Sequence, residues 1–155
     1  MGFINCILYL ITSGIIVFLI GRLFPRKWIK EKSFPFKSYR FEKEGKIYDK
    51  IKIRFWKTKL PDASLIISKI FPNFMPKKRI DKIEDSNEKI KVLVKETCVA
   101  ESTHFVTGLL GLLCICIWNK LGGKLIAGIY FVWNMLFVCI QRYNRPRMLK
   151  VIERM

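Results

Sequence analysis

The sequence predicts an all-α membrane protein with three transmembrane helices. A basic cytoplasmic or interfacial segment separates the first helix from the second. Two observations carry this reading. The 155 residues are 51% hydrophobic yet hold a formal charge of +17, which suits a small membrane protein with a basic cytoplasmic face better than a soluble domain. The charge is also segregated: residues 2–21 contain no Lys, Arg, Asp or Glu, while residues 22–103 hold 22 of the 29 basic residues and 11 of the 12 acids. No internal repeat is visible, and residues 1–155 read as a single integral membrane domain.

The first span is predicted at about 3–22, close to the ~20 apolar residues that cross a bilayer. It lacks a basic stretch before its apolar core and a small-x-small cleavage site. It ends in the basic stop Arg22-Leu-Phe-Pro-Arg-Lys27, so it reads as a retained anchor and not a secretory signal. Residues 23–97 form the cytoplasmic or interfacial segment, broken by Pro25, Pro35, Pro61, Pro72 and Pro76. Within it, residues 60–74 are apolar but too short and interrupted to cross, which suggests an interfacial or re-entrant piece. Residues 77–91 mix charges like a solvated helix that could run on into the next span. The second span is predicted at about 98–118 and the third at about 124–141. Asn119-Lys-Leu-Gly-Gly-Lys124 would join them as a short turn. The basic segment and the tail 142–155 place the C-terminus in the cytoplasm of a multi-pass cell-membrane protein and the N-terminus outside.

Chemistry is expected where ionisable groups meet the apolar second span. Glu101 and His104, the only histidine, are three residues apart and share a helical face. Groups of this kind at membrane depth usually face a bundle interior and act there. Thr97, Glu101, His104, Gly108 and Gly111 make one small and polar stripe suited to close helix packing. On the third span Tyr130, Asn134 and Gln141 make a second. With the stripes facing, Asn134 or Gln141 could reach the Glu101–His104 level, and Gln141 is the better depth match. An imidazole there suits general-base removal of a hydroxyl proton, with Glu101 orienting the ring or stabilising the imidazolium.

Two basic segments could bind the other reactant. In Gln141-Arg-Tyr-Asn-Arg-Pro-Arg147, three guanidiniums could clamp a phosphate or carboxylate, with Pro146 holding them out of regular helix. Anchoring to lipid headgroups is the competing reading. In Arg54-Phe-Trp-Lys-Thr-Lys-Leu-Pro-Asp62, Trp56 and Lys57 suit an interface, and Asp62 is either a second acid or a turn residue. The five cysteines have no metal-ligand spacing and read as small packing residues. No metal is expected. There is no GxSxG, P-loop or GxGxxG. The HxxxxD acyltransferase pattern fails because position 109 is leucine. A membrane surface explains the basic charge better than nucleic acid does.

Four blocks in order carry a family resemblance: Phe36-Lys-Ser-Tyr-Arg-Phe-Glu-Lys-Glu-Gly-Lys46, Trp56-Lys-Thr-Lys-Leu-Pro-Asp62, Glu96-Thr-x-x-Ala-Glu-x-x-His104, and Gln141-Arg-Tyr-Asn-Arg-Pro-Arg147. Over roughly residues 20–150 the chain resembles the glycosyl-4,4'-diaponeurosporenoate acyltransferases, membrane enzymes of staphyloxanthin synthesis. The resemblance implies transfer of a fatty acyl group to a sugar hydroxyl of a membrane glycolipid, with no cofactor beyond an acyl-CoA or acyl-carrier thioester as co-substrate. On that reading His104 would activate the hydroxyl with Glu101 in support. Arg142, Arg145 and Arg147 would hold the donor's phosphates, and Tyr143 and Asn144 would donate to the oxyanion. The long apolar stretch after Asp62 departs from the pattern, and the acceptor need not be a carotenoid. A non-catalytic membrane adaptor and a small membrane methyltransferase or reductase are the alternatives. Acceptor identity, chain length and oligomeric state stay open.

Overall fold

The computed structural model describes residues 1–60 and 86–154. Asp62 and residues 61–85, with the expected interfacial piece and most of the expected solvated helix, lie outside them. The described residues are helical, with no strand among them. Three helices are long and apolar enough to cross a bilayer: Gly2–Leu23, Asn87–Ile117 and Leu121–Ile152. The chain is thus a membrane protein by the length and character of its helices.

The first helix ends because Pro25 forces the preceding residue out of helix: Phe24 is extended at φ −62°, ψ 128°. Arg26 then folds back over the end. Its Nη1 donates to the carbonyls of Gly21 (2.9 Å), Arg22 (3.1 Å) and Phe24 (2.5 Å), oxygens that a helix terminus otherwise leaves unpaired. Its Nε and Nη2 reach Glu96 at 2.8 and 3.2 Å. One side chain therefore caps the first helix and ties it to the second.

The second and third helices form the largest interface, and the first packs mainly on the second. Lipid gives apolar helices no hydrophobic reason to associate, so close approach depends on small residues. At the end away from the basic segment, Cys6, Leu10, Cys114 and Ala127 form the core, flanked by Tyr9, Trp118, Ile126 and Tyr130. Nearer the basic end, a Cβ added to Gly108 would lie 3.2 Å from Asn134 Cβ. Cys6, Cys98 and Cys114 are buried and unpaired, whereas Cys116 is exposed. Ile4, Ile11, Ile15, Leu109, Ile129 and Val132 point outward, as side chains facing hydrocarbon do.

The spans are longer than the apolar runs predict. Among the described residues the second helix covers Ser86–Gly111 and resumes over Cys114–Ile117 after a tight turn. The solvated stretch and the apolar stretch are thus one rod from Ser86 onward. The third helix starts at Leu121, because Gly122 and Gly123 join its first turn instead of the connection, and ends at Ile152. At ~1.5 Å per residue it measures about 48 Å, against a hydrocarbon core of about 30 Å. Its last turns therefore project beyond the core. Pro146 does not break it, which corrects the expectation of a non-helical clamp. A proline removes one N–H, but the side chains on both sides of it are anchored to other elements, and tertiary contacts override local propensity.

Residues 24–60 fold onto that projecting end. They contain 3₁₀ turns at Arg26–Trp28 and Arg40–Gly45 and helical turns at Ile47–Lys50 and Ile53–Trp56. Gly45 lies against the backbone of that helix. It has φ +91°, and an added Cβ would sit 3.4 Å from the Tyr143 carbonyl oxygen.

Gly45→Ala should therefore destabilise the fold by about 1–2 kcal/mol through backbone strain alone. Gly128→Ala, inside the third helix with no atom within 4 Å of the added Cβ, should leave stability unchanged or raise it by up to about 1 kcal/mol. Thermal unfolding of the detergent-solubilised variants compares them, and equal midpoints would contradict the seating of residues 24–60.

Candidate functional site

The projecting turns of the third helix carry a buried ionic cluster. Arg142 donates Nε and Nη2 to the Glu42 carboxylate at 2.5 and 2.9 Å. Its Nη1 donates to Glu101 Oε1 at 2.6 Å. Its remaining N–H groups reach the carbonyls of Pro35 and Lys37, each at 3.2 Å. Arg145 donates to Glu101 Oε2, to Thr97 Oγ1 at 2.9 Å and O at 3.2 Å, and to Phe36 O at 2.8 Å. Two carboxylates and two guanidiniums thus neutralise each other. Glu42 and Arg145 are each only 2% exposed. Burying four charges is tolerable only with this degree of pairing. Arg142 also lies over the Tyr39 ring and Arg145 over Phe36.

Glu42 is the hub on the loop side. It also accepts from Tyr48 Oη at 2.5 Å and the Tyr39 N–H at 2.7 Å. Burial by itself would raise its pKa. The hydrogen bonds from Arg142, Tyr48 and Tyr39 outweigh that, and the carboxyl ends below its ordinary 4.5.

One turn deeper, His104 Nδ1 lies 3.1 Å from Asn134 Oδ1. The ring stacks on Phe137 at 4.7 Å and 13°. Asn134 is buried, and its Nδ2 donates to Tyr130 O at 2.9 Å. That bond fixes the amide: Oδ1 is the acceptor facing the ring. Nδ1 therefore carries the proton, and Nε2 holds the free lone pair.

This geometry changes several sequence-based expectations. Among the described residues no hydrogen bond joins Glu101 to His104; Glu101 serves the two arginines, and Asn134 orients the imidazole. Asn134, and not Gln141, reaches His104. The antiparallel register places position 142 at the Glu101 level, so a residue one turn further in meets a partner some two turns earlier on the third helix. Arg142 has committed every N–H and Arg145 four of its five, so the pair forms a structural hub and not an open clamp.

The remaining residues of the basic tail form a second, shallower group. Tyr143 is fully buried, accepts from Arg54 Nε at 3.0 Å and donates to Asp49 at 3.3 Å, so its hydroxyl is not free to serve an oxyanion. Its ring is flanked by Arg147 at 3.7 Å and Lys57 at 4.8 Å. Lys57 donates to Asn144 Oδ1 at 3.2 Å, and Arg147 pairs with Asp49 Oδ2 at 3.2 Å. The Trp56 indole donates to Ile51 O at 2.9 Å, within its own segment. Glu42, Tyr48, Asp49 and Phe137 escaped the sequence reading. Glu42 lies inside the Phe36–Lys46 block, and an acid amid basic neighbours was its only signal. No group of three or more potential metal ligands occurs among the described residues.

A family model described as glycosyl-4,4'-diaponeurosporenoate acyltransferase matches residues 25–154. Relatives of that name from Staphylococcus aureus strains N315 and bovine RF122 / ET3-1 are each 28% identical over 153 residues, covering 96% of this chain and 86% of their own. No solved structure matches the chain.

Removing one partner of the cluster should be costly. Glu101→Gln should destabilise by about 3–5 kcal/mol, whereas Glu153→Gln, whose pair with Lys32 is well exposed, should change stability by less than about 1 kcal/mol. Thermal unfolding in detergent measures both, and similar midpoints would contradict the cluster. Because the Glu42 pKa is lowered in the fold, its stabilisation is complete above pH 4.5 and lost as pH falls through the lower folded value. Glu42→Gln should accordingly flatten the loss of stability below that pH.

Proposed function

The chain belongs to the glycosyl-4,4'-diaponeurosporenoate acyltransferase family and is an acyltransferase; we propose that it moves a fatty acyl group from a thioester to a sugar hydroxyl of a membrane glycolipid, with His104 as general base. The observation that carries this reading is the His104–Asn134 bond at 3.1 Å, which leaves Nε2 available to accept a proton. The comparisons lend no support to an adaptor, a methyltransferase or a reductase.

The reaction follows from these groups. Nε2 of His104 takes the hydroxyl proton as the sugar oxygen attacks the thioester carbonyl. The tetrahedral intermediate expels the thiolate, and the imidazolium returns the proton to sulfur. The thiol and the O-acyl glycolipid leave, and the ring is neutral again. Asn134 positions the ring through Nδ1–H and accepts more strongly as the imidazolium forms. Glu101 acts at one remove: it holds Arg142 and Arg145, and through them the register that sets Asn134 opposite His104. The basic residues of the 24–60 segment and of the tail support a cytoplasmic site, with the N-terminus outside.

His104→Ala should lower acyl transfer by about 10²–10⁴-fold while membrane accumulation stays normal. The assay is incorporation of labelled acyl chain from a thioester into glycolipid by purified protein in nanodiscs, and near-normal incorporation would remove His104 from the mechanism. Asn134→Leu should fall by at least about tenfold. Asn134→Asp should retain most activity, with the acid limb of its pH–rate profile moved to higher pH because a carboxylate favours the imidazolium. An unmoved profile would reduce Asn134 to a packing residue.

A further inference from the structure

We propose that Arg54, Lys57 and Arg147 grip the phosphate of a 4′-phosphopantetheine thioester, which makes the shallow basic group the acyl-donor site; this rests on the acyl-transfer reading above. The first argument is charge. Three cations gather around one carboxylate: Arg54 Nε lies 3.1 Å and Arg147 Nη2 3.2 Å from Asp49, while Lys57 meets the neutral Asn144 amide and the Tyr143 ring and, among the described residues, no carboxylate. Among the described residues, two positive charges are left without a counterion beside a buried tyrosine. Like charges held together await an oxyanion. Burial, then Arg147 and Arg54, push the Lys57 pKa below its ordinary value, as crowded cations require.

The second argument is availability. Arg142 and Arg145 spend their N–H groups inside the fold, but the Arg54 side chain is 70% exposed and that of Arg147 41%. Arg54 lines an open groove of about 600 Å³ together with Asp49, Lys52 and Phe55, and Arg147 reaches the same Asp49 from the third helix. Guanidiniums bind phosphate in a bidentate fork, and Lys52 adds a further cation at the rim.

The third argument is reach. Ten residues of continuous helix separate Arg147 from Phe137, the residue stacked on His104, an axial distance of about 15 Å. The extended pantetheine arm between phosphate and sulfur is of similar length. A phosphate in the groove thus lets the thioester carbonyl arrive beside the imidazole. Coenzyme A and acyl carrier proteins both carry this arm, so the site reads the chemistry they share.

The test is steady-state kinetics of the full chain in nanodiscs with three donors: acyl-CoA, an acyl carrier protein, and acyl-pantetheine, which lacks the phosphate. Arg54→Gln and Arg147→Gln should raise KM for the phosphate-bearing donor about tenfold to a hundredfold, with kcat within about threefold. KM for acyl-pantetheine should not move, and neither should any constant of Lys30→Gln, a control away from the groove. Whichever phosphate-bearing donor shows the response identifies the source. Unchanged KM for both, or an equal rise for acyl-pantetheine, overturns the site. Arg54 lies at the exposed rim, so its variant remains informative if Arg147→Gln fails to accumulate. If wild-type protein turns over no thioester, calorimetry with 4′-phosphopantetheine decides separately. Binding that Arg54→Gln abolishes upholds the phosphate site while the acyl-transfer reading fails; no binding by wild type overturns the site.

Discussion

Charge neutrality in a buried space governs this structure. Glu101 enters from the second helix, Arg142 and Arg145 from the third, and Glu42 from the connecting segment. Burying any one of these four charges without its partners would be strongly unfavourable. Their pairing therefore does three things at once. It fixes the sliding register of two antiparallel helices, it seats residues 24–60 on the projecting end of the third helix, and it consumes the arginine donors that would otherwise face substrate. Hydrophobic burial contributes little to the register here, since lipid is as apolar as the helix faces.

From that register the chemistry follows. Opposite His104 the third helix presents Asn134 and Phe137, an acceptor and a flat apolar face. The amide is locked by its own helix through Tyr130 O, so the ring has one favoured tautomer before any substrate arrives. The site is pre-organised by groups that need not touch the reacting atoms. A second set of cations, around Tyr143, carries more positive charge than the described residues neutralise, and that surplus sits within a helix-length reach of the imidazole.

Much of this was legible in the sequence, and the rest was hidden for physical reasons. Three spans follow from apolar runs of bilayer length, and the stripe of Thr97, Glu101, His104, Gly108 and Gly111 follows from the helical period. The motif blocks pointed to the family. The end of the third helix was misjudged because polar residues continue a helix past the hydrocarbon, as far as Ile152, and because Pro146 is held by its neighbours' tertiary contacts. The partner of His104 was misjudged because register depends on where the turn ends, and Gly122 and Gly123 give no sign in sequence of joining the helix. Glu42 was invisible as a hub because its partner lies 100 residues away, and no local pattern marks a pairing at that separation. Arginines in a basic tail look free until their acceptors are known.

The most direct test of the account is the helix register itself. In a cysteine-free background, Gly108→Cys paired with Asn134→Cys brings two Cβ positions to the range of a disulfide, since a Cβ at 108 would lie 3.2 Å from that of Asn134. Mass spectrometry of the oxidised membranes should find residues 108 and 134 cross-linked and the pair Gly108→Cys with Gln141→Cys still reduced. A cross-link from 108 to 141, with 134 left free, would slide the third helix by about two turns past His104 and contradict the account.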